Sequence, residues 1–147
     1  MGRALAQRLG CEFVDADDFH PPENVAKMRS GTPLTDADRA GWLERLRTEI
    51  DGRLSGGSSA VLACSALRER YRAHLRRPGE PIHLVYLRGD YETISRRLAA
   101  RGGHYMPATL LGSQFAALEE PGAEAITIPI ELSPEQAVAR IMPALMQ

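Results

Sequence analysis

A chain of 147 residues with 44% hydrophobic content is long enough for one compact domain around a single core. Its formal net charge of −1 at pH 7 gives no general attraction to nucleic acid or to anionic membranes. No run approaches the roughly 18 apolar residues that span a bilayer, and two cysteines, Cys11 and Cys64, are too few for a disulfide framework and read as reduced thiols.

Taken in chain order, the sequence opens on an amphipathic helix carrying Leu5 and Leu9, where a chain of this alternating type is expected to open on a strand. A strand is predicted over Cys11–Asp15, ending in the acidic run Asp15-Ala16-Asp17-Asp18. Pro22 starts and Gly31 stops a short helix. Thr35 and Asp38 then form a capping box for a long helix that buries Trp42, Leu43, Leu46, Ile50 and Leu54 at helical spacing. Together the two read as a helical hairpin, about residues 20–55, hanging over the end of the first strand. Ser55–Ser59 is the one flexible-looking linker, and it is too short to separate domains.

A continuous apolar run, Ala60–Cys64, predicts a strand buried on both faces. Ser65 is placed to cap a helix burying Leu67, Tyr71 and Leu75. His83–Leu87 predicts a third strand. Asp90 then caps a helix through Tyr91, Ile94 and Leu98 that Gly102-Gly103 stop. Ala125–Ile130 predicts a fourth strand, and Ser133-Pro134-Glu135-Gln136 opens a C-terminal helix through Ile141 and Leu145. Short apolar runs alternating with amphipathic helices give an α/β fold, a parallel sheet flanked by helices in three layers.

Carboxylates at the C-terminal end of a parallel strand face the ligand crevice of such folds. Asp15 and Asp17 stand there, one suited to a metal-bound water and the other to a substrate hydroxyl. Arg39 beside them is suited to clamping a carboxylate through its bidentate fork. No histidine pair has zinc-ligand spacing.

The run VDADDFHPPENVAKMRSGTPLTDADRAGWL closely resembles the gluconokinases. The likeness continues through CSALRERYRAHLR, YLRGDYETISRRLAARGGHYMP and SQFAALEEP, in order and across nearly the whole chain. It implies a P-loop kinase of the adenylate-kinase and shikimate-kinase architecture, which moves the γ-phosphate of ATP to gluconate with Mg²⁺. By the same likeness Asp17 activates the sugar-acid hydroxyl and Asp15 holds Mg²⁺ through water. His20, Lys27 and Arg39 face the sugar acid, with Arg72 and His104 as further substrate contacts. Arg97 and Arg101 belong to a lid over residues 97–107 and meet the phosphates. A homodimer is implied by the family alone, whereas the reduced thiols and an N-terminus without a signal peptide's apolar region point to a cytoplasmic location.

The family also implies a first strand and a GxxGxGK[ST] loop, and no such run occurs in these residues. Of 18 Lys and Arg residues only Lys27 is a lysine, and the likeness commits it to the substrate arm. The expectation is therefore a single kinase domain over residues 1–147, N-terminally truncated, with open strand edges mid-sheet and no turnover by itself. The alternatives are a shikimate-kinase-like enzyme, which the HPPEN and GGHYMP segments oppose, and a non-catalytic sugar-acid-binding remnant.

Overall fold

The computed structural model describes residues 1–101 and 108–147. Helix α1, Gly2–Leu9, buries Leu5 and Ala6 and is closed by Gly10 at φ 67, a left-handed turn that glycine makes without a Cβ clash. Strand β1 follows at Glu12–Asp15, one residue shorter at its start than the apolar run predicts. Pro22–Arg29 forms α2, with Pro22 at its first turn. The 21-residue α3, Asp36–Gly56, starts on the expected capping box. Thr35 Oγ1 accepts from the Asp38 amide, and the Asp38 carboxylate accepts from the Thr35 amide. Such a cap contributes about 1 kcal/mol. The helix takes in Ser55 and Gly56, and Gly57 at φ 67 ends it, so the first two residues of the predicted linker are helix and residues 57–59 make the connection.

Strand β2, Ala60–Ala63, pairs in parallel with β1, Val61 opposite Phe13. The next helix departs from expectation. Ala66 sits at φ 35, a left-handed turn that no helix begun at Ser65 accommodates. Helix α4 therefore starts later, at Glu69, and runs to Leu75 with Arg68 at its N-cap. Strand β3, Leu84–Arg88, is followed by α5, Tyr91–Ala100, whose N-cap Asp90 accepts from the Thr93 amide. Helix α6, Leu111–Ala117, precedes β4, Ala125–Pro129, which pairs in parallel with β3. Helix α7, Pro134–Leu145, begins on the predicted Ser133–Gln136 capping box.

The four strands form two parallel pairs, β1 with β2 and β3 with β4. Among the described residues no backbone ladder joins the pairs; side chains do. Val61 of β2 packs with Val85 and Leu87 of β3 against a cluster of Leu5, Ile128, Ala137, Val138 and Ile141. A second cluster centres on Ala16, Trp42, Leu46, Tyr71 and Leu75, binding α3 and α4 to the end of β1. Burying each large apolar side chain there contributes roughly 1.5–3 kcal/mol. A third, of Met28, Leu34 and Leu110, seats α2. No helix among the described residues is long and apolar enough to cross a membrane.

Candidate active site

A crevice of about 500 Å³ opens at the C-terminal ends of β1, β2 and β3. Its wall carries Asp15, Asp17, His20 and Arg39, four residues the sequence places at such a site, and Arg101 stands at its rim.

The acidic end is built locally. The strand stops at Asp15, whose Oδ1 accepts from the Asp17 amide at 3.0 Å and so caps a 3-10 turn over Ala16–Phe19. Ala16, fully buried, is pinned from the other side because the Trp42 indole donates to its carbonyl at 2.7 Å. Backbone rigidity at Asp17 thus comes from one carboxylate and one indole. A third wall residue, Cys64, has its thiol pushed up to about 12, by burial first and by the charges of Asp17 and Asp15 after it. It stays protonated and unreactive at neutral pH.

His20 lies flat on Trp42, ring centroids 4.3 Å apart and planes 11° from parallel. Burial, and then the positive charge of Arg39, lower its pKa to about 4. The ring is therefore neutral across physiological pH. Arg39 is held from the side by α4. Its Nη1 donates to the Tyr71 hydroxyl at 3.2 Å, and its guanidinium carbon lies 5.5 Å from the Tyr71 ring centre. Tyr71 in turn donates to Asp36, which also pairs with Arg70.

Two of the expected substrate contacts are occupied elsewhere. Lys27 Nζ pairs with Asp38 Oδ2 at 2.6 Å and does not line the crevice. The Asp38 carboxyl is held down at about 2, chiefly by that bond and then by the Thr35 amide. The lysine braces α2 against α3. Arg72 likewise donates to the carbonyls of Ala66 and Glu119, both at 2.8 Å, and ties the β2–α4 loop to the segment after α6. Arg97 is exposed on α5 and outside the crevice wall, whereas Arg101 reaches it. His104 and the rest of residues 102–107 lie outside the described residues.

Sequence reasoning missed three contributors. Trp42 and Tyr71 read as core by their spacing, yet the Trp42 indole also holds the Ala16 carbonyl and the Tyr71 hydroxyl holds Arg39. Asn24, only 4% exposed, had no reading at all, although a buried asparagine one turn from a histidine is a signal.

A shallower groove of about 560 Å³ runs along α3 near Phe19, Thr48 and Ser58. Of its three charged residues, Glu49 and Arg53 pair with each other at 2.7 Å and Arg45 donates to the Phe19 carbonyl. It carries no carboxylate from a strand end. Among the described residues no three His, Cys, Asp or Glu side chains converge to hold a metal. One or two carboxylates completed by phosphate oxygens and water is the usual Mg²⁺ arrangement, and Asp15 at the strand end fits that kind of site.

Fold and crevice together define a class, the small-molecule kinases of the shikimate-kinase type. The Shikimate kinase family profile matches residues 1–114. The thermosensitive gluconokinase of Escherichia coli K12 is 44% identical over 124 residues, covering 84% of this chain and 66% of the relative. The gluconokinase of Arabidopsis thaliana is 42% identical over 156 residues, covering 97% and 82%. Among solved structures, an unliganded sugar kinase from Janibacter sp. HTCC2649 superposes with a TM-score of 0.89 at 41% identity, covering 99% of this chain and 85% of the other. A gluconokinase from Sinorhizobium meliloti 1021 superposes at 0.82 and 36%, covering 99% and 82%. The chain belongs to the gluconokinase family. Against the E. coli protein and that of Gluconobacter oxydans, it spans 66% of the relative's length.

Proposed function

We propose that this chain provides the acceptor side of a gluconokinase, binding gluconate and presenting one hydroxyl to the γ-phosphate of MgATP. The observation that carries the reading is the grouping of a carboxylate, Asp17 in the 3-10 turn after β1, with a guanidinium, Arg39, in one crevice. A polyhydroxy carboxylate needs both: a cation for its acid end and an acceptor for the proton of the attacking hydroxyl. Arg39 clamps the carboxylate, Asp17 orients and deprotonates the hydroxyl, and His20 meets the sugar chain. Arg101, at the rim, meets the transferring phosphoryl group, where positioning and electrostatic stabilisation do most of the catalysis. Asp15 would hold Mg²⁺ on the protein side through water, and the ion would supply neutralisation of the phosphate charge.

No GxxGxGK[ST] run occurs in the 147 residues, and the one lysine is paired with Asp38. The cradle for the nucleotide phosphates is therefore assigned to backbone outside these residues, and a second reading follows for the chain alone: sugar-acid binding without turnover. Calorimetry on the 147-residue chain is expected to register gluconate and not ATP; tight ATP binding by these residues alone overturns the assignment of the cradle. A coupled ADP-release assay on the intact protein is expected to prefer gluconate. Preference for shikimate overturns the substrate.

A further inference from the structure

Asn24 lies between two acceptors. Its Nδ2 is 2.8 Å from the Asp38 carbonyl oxygen and 3.3 Å from His20 Nδ1. A carbonyl oxygen only accepts, so the amide nitrogen, with two hydrogens, has to be the atom facing Asp38. The same nitrogen faces His20, and it has no lone pair to offer. Nδ1 of the imidazole must then be the acceptor, and in a neutral ring the proton sits on Nε2.

We infer that Asn24 is a positioning residue that fixes His20 as its Nε2–H tautomer, so that the ring offers the crevice a hydrogen-bond donor and no proton-accepting nitrogen. The bond to the Asp38 carbonyl anchors the amide to α3 and prevents it from turning over. Stacking on Trp42 fixes the plane of the ring, which leaves Nε2–H with one direction. The charged groups about the ring are Asp17 from the preceding turn, Arg39 from α3, and the Asp38 carboxylate already satisfied by Lys27. The low pKa of the ring agrees, since a cation beside it and burial both oppose the doubly protonated form.

Two consequences follow, the second resting on the gluconokinase reading. His20 is not the base of any proton transfer in this crevice, which leaves that task to Asp17. And the oxygen His20 meets on the sugar acid is an acceptor, so a ligand that can only donate there is disfavoured.

The test is the ¹⁵N–¹H two-bond correlation spectrum of the imidazoles in the ligand-free protein at neutral pH. The expected result for His20 is an unprotonated Nδ1 and a protonated Nε2; a protonated Nδ1 overturns the inference. Asn24→Asp replaces the donor with an acceptor and is expected to draw a proton onto Nδ1. It is also expected to bring an inflection near pH 6–7 into the kcat/KM profile, where the parent shows none. Asn24→Leu is expected to raise KM for gluconate roughly tenfold, about 1.4 kcal/mol, with KM for ATP unchanged; an equal rise in both overturns the positioning role. Should either variant fold poorly, the spectrum of the parent protein still decides. Absence of gluconate turnover by the intact protein, with an Nε2–H spectrum, removes the substrate reading and leaves the tautomer standing.

Discussion

At the scale of single residues, the site depends on side chains that hold other side chains. Arg39 is the instructive case. Its planar fork suits a carboxylate, yet a free arginine on the first turns of a helix samples many rotamers, and ordering it costs up to about 2 kcal/mol. The Tyr71 hydroxyl, fixed by Asp36, removes much of that freedom before a ligand arrives. Arg39→Lys keeps the charge and loses the fork; it is expected to raise KM for gluconate roughly 10–100-fold, the worth of a charge-assisted bond, with KM for ATP near the parent value in steady-state assays. Asp17→Asn keeps shape and removes the proton acceptor, so kcat is expected to fall about 10²–10⁴-fold with binding retained by calorimetry. Unchanged kcat in that variant would take the base role away from Asp17.

At the scale of elements, α3 is tied to its neighbours by a buried charge. Arg47, only 3% exposed in the middle of α3, donates to the Leu75 carbonyl at 2.9 Å and pairs with Asp51 and Glu80. It fastens the long helix to the end of α4 and to the loop before β3. Removing one member of such a network strands the others. Arg47→Met is expected to cost on the order of 3 kcal/mol in urea unfolding, because Glu80 keeps partial contact with water. The Arg47 bond, with the Arg77 amide after it, lowers the Glu80 carboxyl from 4.5 to about 2. A depressed folded-state value means stability is present above the unfolded pKa and is lost as pH falls from about 4.5 towards 2. Unfolding midpoints are therefore expected to drop in that window for the parent and to drop less for Arg47→Met. The caps of α3, α5 and α7 were legible in the sequence because their partners sit three residues apart. The arginine networks were not, since Arg47 meets Glu80 across 33 positions and Arg39 meets Tyr71 across 32. No local pattern distinguishes Arg47 from a surface arginine. Ser65 failed for a related reason: its sequence fits a cap, and a left-handed Ala66 forbids it.

At the scale of the molecule, the four strands were readable as apolar runs and their parallel pairing as a consequence of helical crossovers. The crevice could be placed at the strand ends on the same ground, and Arg39 named as its clamp, though not the His20 tautomer or the Tyr71 hydroxyl that holds Arg39. What the whole chain adds is a division of the sheet. Among the described residues each of β2 and β3 pairs on one side only, and backbone groups on alternate residues of a strand point to opposite sides. Half of the amides in these strands are expected to sit in a ladder and half to face an edge that only side chains approach. Edge groups left without partners carry a cost and invite a further strand. Native-state hydrogen exchange followed by NMR should then show two classes alternating along β2, Ala60–Ala63, and along β3, Leu84–Arg88. The ladder amides should exchange near the global unfolding rate, and the others should exchange much faster, through local openings. Because α1 packs on β2 and α7 on β4, slow exchange through burial alone would affect both classes equally. Uniform protection along β2 and β3 in the monomeric chain would therefore mean that a backbone partner covers those edges, and the two-pair sheet would have to be abandoned.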